Sequence, residues 1–142
     1  VAGGADDLDW LEANARELGI RRVIRLAVAG GFHSPFMATA ADRLDRALSR
    51  VEFSIGAFDV YANASAAPAR DPRVSLRDQL TSPVRFSETL EAMAASGIDT
   101  FIHIGPGDVT AGLARRTVPG ATVHVVASID DARDAGEALS VQ

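Results

Sequence analysis

A chain of 142 residues, 47% of them hydrophobic, suits one domain or a large part of one, but with aromatics at only 6% its core must rest mainly on Ala, Val, Leu and Ile. A net charge of −5 argues against a nucleic-acid surface, and the absence of cysteine excludes disulfides, thiolate metal sites and a cysteine nucleophile. No apolar run approaches the ~18 residues of a membrane span and no signal peptide is visible, so an intracellular, cytoplasmic protein is the expectation.

Val1-Ala2-Gly3-Gly4 reads as a strand end entering a turn and the sequence has no initiator Met, so a preceding portion is expected to lie outside this chain. Asp6 or Asp7 is expected to cap a helix that buries Leu8, Leu11, Ala15 and Leu18 on one face and ends at Gly19. Ile20 to Val28, with Arg22 and Arg25 partly alternating with apolar residues, reads as a strand with one solvated side. It runs into Ala29-Gly30-Gly31-Phe32-His33-Ser34-Pro35. There Ser34 is a natural N-cap and Pro35 a natural first helical residue. The helix that follows carries Met37, Ala41, Leu44 and Leu48 on its buried stripe and Asp42, Asp45 and Arg46 on its wet face.

A short extended piece is expected around Phe53 and Ile55, and a strand over Phe58–Ala62 ending at Asn63. A polar loop follows to Arg73, and Ser75 is read as the cap of a short helix over Leu76–Leu80. Thr81-Ser82-Pro83 breaks the chain before a helix with Val84, Phe86, Leu90, Met93 and Ala94 on one face and Gly97 at its end. Thr100–Ile104 is predicted to be a short buried strand. Gly105-Pro106-Gly107 makes a turn before a helix capped by Asp108, Thr122–Ala127 is the last strand, and one more helix is expected in the tail. The alternation of strands and helices from Phe58 onward predicts an α/β fold with parallel crossovers.

A histidine between a strand end and a helix start stands on a rigid platform facing a crevice, and is either a hydrogen-bonded structural residue or a working base. His103 and His124 lie inside predicted strands and read as structural. The chain contains no Gly-x-Ser-x-Gly and hence no nucleophile elbow. Its carboxylates show no metal-ligand spacing, and no metal site is expected.

Taken together, Gly31-Phe32-His33-Ser34, Gln79-Leu80-Thr81-Ser82-Pro83-Val84-Arg85-Phe86 and Ile104-Gly105-Pro106-Gly107 resemble the C-terminal half of the malonyl-CoA:acyl-carrier-protein transacylases, in order and in separation. The resemblance implies an α/β-hydrolase-like acyltransferase. Residues 1–28 would form the C-terminal part of a small, incomplete ferredoxin-like α+β subdomain, and residues 29–142 the C-terminal part of the acyltransferase subdomain. It implies a catalytic role for His33 as general base and then general acid, and for Gln79, whose backbone carbonyl orients the imidazole. It implies that Phe32 shapes the acyl pocket in favour of malonyl over a branched acyl group, and that Asn63 lines the pocket.

In this family a serine carries malonyl as an ester and an arginine holds its carboxylate; neither has a counterpart among the motifs present here. The implied partners are malonyl-CoA, the acyl carrier protein of fatty-acid or polyketide synthesis with its phosphopantetheine arm, and a segment bearing the serine. No cofactor of the chain's own is implied. The alternative expectation is a non-catalytic fragment or binding module of the same fold, inactive without that segment.

Overall fold

A computed structural model describes residues 1–54 and 56–140. These fall into two compact units, Val1–Val84 and Arg85–Gln142.

In the first unit, helix α1 spans Ala5–Asn14. Its N-cap is Gly4, two residues before the nearer of the expected caps, and Asp7 reaches back to accept from the Gly4 N–H at 3.3 Å. A carboxylate in the first turn thus satisfies a donor that glycine itself has no side chain to satisfy. Gly19, at φ 73°, closes the far end, where the Ile20 N–H bonds the Ala15 carbonyl at 2.8 Å.

The strand expected over Ile20–Val28 does not form. Among the described residues nothing pairs with it, and Ile24, Leu26 and Val28 stand exposed. An alternating sequence supplies the face of a strand, but the ladder needs a neighbour. Arg25 instead ties this stretch to α1 through Asp9 at 2.5 Å and Glu12 at 3.2 Å.

Ser34 caps as expected, accepting from the Phe36 N–H at 3.3 Å, though the first turn over Pro35–Met37 is 3₁₀ before α2 (Ala38–Leu48) begins. The extended piece expected near Phe53 and Ile55 falls partly on residue 55, outside the described residues. The strand expected over Phe58–Ala62 shrinks to β1, Tyr61–Ala62, which pairs antiparallel with β2, Ala67–Pro68, across the Asn63–Ala66 turn. Phe58 and Val60 are left exposed.

Helix α3 runs Pro72–Gln79, four residues longer at its start than expected. Asp71, not Ser75, is its cap: the carboxylate accepts from the Val74 N–H at 3.1 Å, and Pro72 occupies the first position, where its missing N–H is not needed. Helices α2 and α3 pack on each other, and Arg73 grips Asp45 with two parallel bonds of 3.0 and 2.9 Å. That guanidinium holds the Asp45 carboxyl below its ordinary range.

The second unit opens with α4, Phe86–Ala95, whose end is marked by Gly97 at φ 97°. Strand β3, Thr100–Ile104, pairs in parallel with β4, Thr122–Val126, and α5, Val109–Thr117, is the crossover between them, packed on both. This is the βαβ arrangement expected from the alternation. β3 is not buried, since Ile102 and Ile104 are exposed. Asp108 stands at the α5 N-cap position without a side-chain capping bond. The tail helix forms as α6, Ile129–Ser140. It opens on a reciprocal box in which Asp131 accepts from the Ser128 N–H at 2.8 Å and the Asp131 N–H donates to the Ser128 hydroxyl at 3.1 Å.

The core departs from the expected mixture of Ala, Val, Leu and Ile. Among the described residues the buried apolar set is six alanines and Leu90. Small side chains let helices approach closely, and the larger aliphatic residues are left on partly open faces.

Candidate active site

Two elements of the first unit build the site. The segment entering α2 supplies His33, and the C-terminus of α3 supplies Gln79. His33 Nδ1 lies 2.9 Å from the Gln79 backbone oxygen, across 46 residues of sequence. A carbonyl only accepts, so Nδ1 carries the proton and donates it. In the neutral ring Nε2 then keeps its lone pair, and it is the nitrogen able to take a proton from another group. The Asp45–Arg73 fork locks α2 to α3 and thereby holds the two halves of this contact in register.

His33 is exposed and has a backbone φ of 57°, in the left-handed region that a residue with a Cβ enters at a cost. Such a conformation needs support from its surroundings.

Phe32, directly before His33, is 46% exposed, so its ring is available to a ligand and is not core. Asn63 sits in the β1–β2 turn with its Oδ1 buried and without a hydrogen-bond partner. An unsatisfied buried acceptor is costly, and a ligand donor or a further chain segment would satisfy it. No hydrogen bond joins Asn63 or Phe32 to His33 among the described residues. An open depression of about 480 Å³ in this unit is lined by residues that include Ala62, Ser65, Arg70, Asp71, Asp78 and Ser82; His33 is not among them.

In the second unit, His103 Nδ1 bonds the Thr110 hydroxyl while its Nε2 is buried and unpartnered. Arg85 is engaged by Glu88, three residues on, which raises the guanidinium pKa further and lowers that of the carboxyl. Among the described residues no three carboxylate or imidazole side chains gather to hold a metal ion, and no helix is long and apolar enough to cross a membrane. The residues missed by sequence reasoning are Asp45 and Arg73. In the sequence Asp45 reads as part of a wet helix face and Arg73 as the end of a polar loop, and only the packing of α2 on α3 reveals the pair.

The parallel βαβ arrangement of the second unit marks an α/β protein, and the first unit holds an imidazole bonded to a backbone carbonyl rather than to a carboxylate. No protein-family model matches the chain. It is 37% identical over 119 residues to the malonyl-CoA–acyl carrier protein transacylase of Bacillus subtilis, a match that covers 82% of this chain and 38% of that protein. It is 31% identical over 136 residues to the Staphylococcus aureus (strain COL) protein of the same name, covering 94% of the chain and 44% of the relative.

The backbone agrees. An acyl-carrier-protein S-malonyltransferase from Bartonella henselae superposes with a TM-score of 0.89 at 32% identity, over 97% of this chain and 45% of that one. A malonyl-transacylase solved in complex with its type II polyketide acyl carrier protein gives 0.88 at 29%, over 96% and 45%. The chain is homologous to the malonyl-CoA:acyl-carrier-protein transacylases, and it spans less than half the length of these relatives.

Proposed function

We propose that this chain supplies the histidine half of an active site that moves a malonyl group from malonyl-CoA to the phosphopantetheine thiol of an acyl carrier protein. The serine nucleophile and the arginine for the malonyl carboxylate come from a polypeptide segment outside this chain. The observation that carries the reading is the 2.9 Å bond from His33 Nδ1 to the Gln79 carbonyl, because it fixes the tautomer a general base requires.

In the first half-reaction Nε2 takes the serine Oγ proton as Oγ attacks the thioester carbonyl. The tetrahedral intermediate then expels CoA sulfur, which recovers that proton from the imidazolium. In the second, Nε2 deprotonates the phosphopantetheine thiol, the thiolate attacks the serine ester, and the departing serine oxygen is reprotonated. A neutral carbonyl behind the ring raises its basicity less than a carboxylate would, which suits a base that must return its proton in each half-reaction. In this reading Phe32 narrows the acyl site, where excluding one methyl group is worth ~1–3 kcal/mol, and Asn63 lines it, its unpaired Oδ1 accepting from a donor on the completing segment.

The boundary near residue 28 between a ferredoxin-like lobe and the acyltransferase lobe belongs to the same reading. So does the docking of the completing segment on apolar residues left open in each unit, Leu26 (72% exposed) and Phe58 (87%) in the first and Ile104 (79%) in the second. A cytoplasmic setting follows if the carrier protein is cytoplasmic.

The test is reconstitution. The chain is co-expressed with the N-terminal portion of one of its homologues and incubated with radiolabelled malonyl-CoA and holo acyl carrier protein. Label on the carrier protein only when both polypeptides are present supports the reading. A folded, stable complex that transfers nothing contradicts it.

A further inference from the structure

Ser34, next to His33, is 6% exposed, one of two buried polar residues described in the chain. Its backbone is extended, at φ −143° and ψ 169°, as a cap requires, and its oxygen accepts from the Phe36 N–H. Capping needs nothing more. Yet the same hydroxyl also donates to the Gly31 carbonyl at 2.5 Å. One side chain thus ties the residue two places before His33 to the residue three places after it. Glycine at 31 is what permits the approach. A Cβ there would come within 3.1 Å of Ser34 Oγ and 3.3 Å of the Phe36 ring, closer than such contacts ordinarily sit. Of the residues inside this clasp, His33 is the one held at positive φ.

We propose that Ser34 is a positioning residue for His33. Its hydroxyl closes the Gly31–Phe36 turn, holds His33 in the left-handed conformation and so aims Nδ1 at the Gln79 carbonyl. Without the clasp, His33 relaxes toward an ordinary negative φ, Nδ1 leaves the carbonyl, and the neutral ring returns to the Nε2–H form that a free imidazole side chain prefers. The value of this to catalysis rests on the reading of His33 as a base; the effect of Ser34 on the ring does not.

The experiment reads the imidazole directly. The full chain is labelled with ¹⁵N, the His33 ring signals are identified by their loss in His33→Ala, and Nδ1 and Nε2 shifts are recorded above the imidazole titration. The wild-type ring is expected to be predominantly Nδ1–H. Ser34→Ala shifts the tautomer ratio toward Nε2–H by roughly fivefold, the equivalent of one net hydrogen bond. Ser34→Thr, which keeps the hydroxyl, stays near the wild-type ratio, and the His103 and His124 signals do not move in either variant.

Gly31→Ala is a second perturbation that leaves Ser34 unsubstituted but presses on its oxygen, and it shifts His33 in the same direction. It decides the matter if Ser34→Ala does not fold. A folded Ser34→Ala with the wild-type His33 ratio overturns the proposal, as does an unmoved ratio in Gly31→Ala when Ser34→Ala is unfolded. Because the readout needs no turnover, it separates failure here from failure of the malonyl-transfer reading, which shows as absent transfer in a reconstituted complex whose His33 is correctly oriented.

Discussion

Replacing Gln79 with Ala separates a backbone contact from a side-chain one. The atom that His33 meets is the main-chain oxygen of residue 79, 2.9 Å from Nδ1. Gln79 is the last residue of α3, and alanine is at least as good a helix former there, so the substitution leaves the carbonyl in place. A hydrogen bond of this kind contributes about 0.5–1.5 kcal/mol net, toward the lower end for a ring as exposed as this one. At 1.36 kcal/mol per tenfold, its loss would change the oriented population by about 2- to 13-fold. Gln79→Ala is therefore expected to leave the His33 tautomer ratio unchanged by ¹⁵N NMR, and to leave transfer in the reconstituted enzyme within about twofold of wild type. A change in the ratio of about threefold or more in the variant would show that the amide side chain orients the ring, and would refute the backbone argument.

Leu90 is the only large aliphatic side chain among the buried apolar residues of α4 and α5. Leu90→Ala is expected to cost about 2–5 kcal/mol, seen as a lower urea midpoint for the second unit; a loss under about 1 kcal/mol would mean that the alanine-rich layer stands without it. The Asp131 carboxyl is held below its ordinary range first by the Ser128 hydroxyl and then by the Ala127 N–H. Its folded pKa is depressed, so the stabilisation is present above the unfolded value near 3.8 and is lost as pH falls through the folded value. Amide exchange at Ala127 and Ser128 should accelerate below that value in the wild type, and this acid-side change should be absent in Asp131→Asn. An identical pH dependence in the two would contradict the assignment.

End chemistry was legible at some element ends and not at others: Asp6, Asp7 and Ser75 are not the caps expected of them. Ser34-Pro35 opens a helix and Gly97 closes one, and the β3–α5–β4 crossover matches the alternation of its sequence. Elements whose stability comes from elsewhere were not legible. Ile20–Val28 has the pattern of a strand and no partner, because pairing is a property of two segments. The α3 start lies earlier than expected because its cap is Asp71 and not Ser75, followed by Pro72, which fits the first turn.

The His33–Gln79 contact spans 46 residues and has no local signature. It was expected only through resemblance to a family, and its geometry now stands on coordinates. The Asp45–Arg73 fork had no such aid, since a charged residue on a wet face or at a loop end looks the same whether or not a partner arrives to pair with it. The second bond of Ser34 was hidden for a related reason: the sequence marks a cap, but not the carbonyl to which the cap's hydroxyl points.

Formation of the serine ester in a single turnover measures the role of His33 most directly. The chain is assembled with the serine-bearing segment, mixed with radiolabelled malonyl-CoA and quenched in acid, and label retained on the protein is followed in time. His33→Ala should bind malonyl-CoA as the wild type does and form the ester about 10²- to 10⁴-fold more slowly, the range expected when a general base is removed. Ester formation at the wild-type rate in His33→Ala would contradict the account.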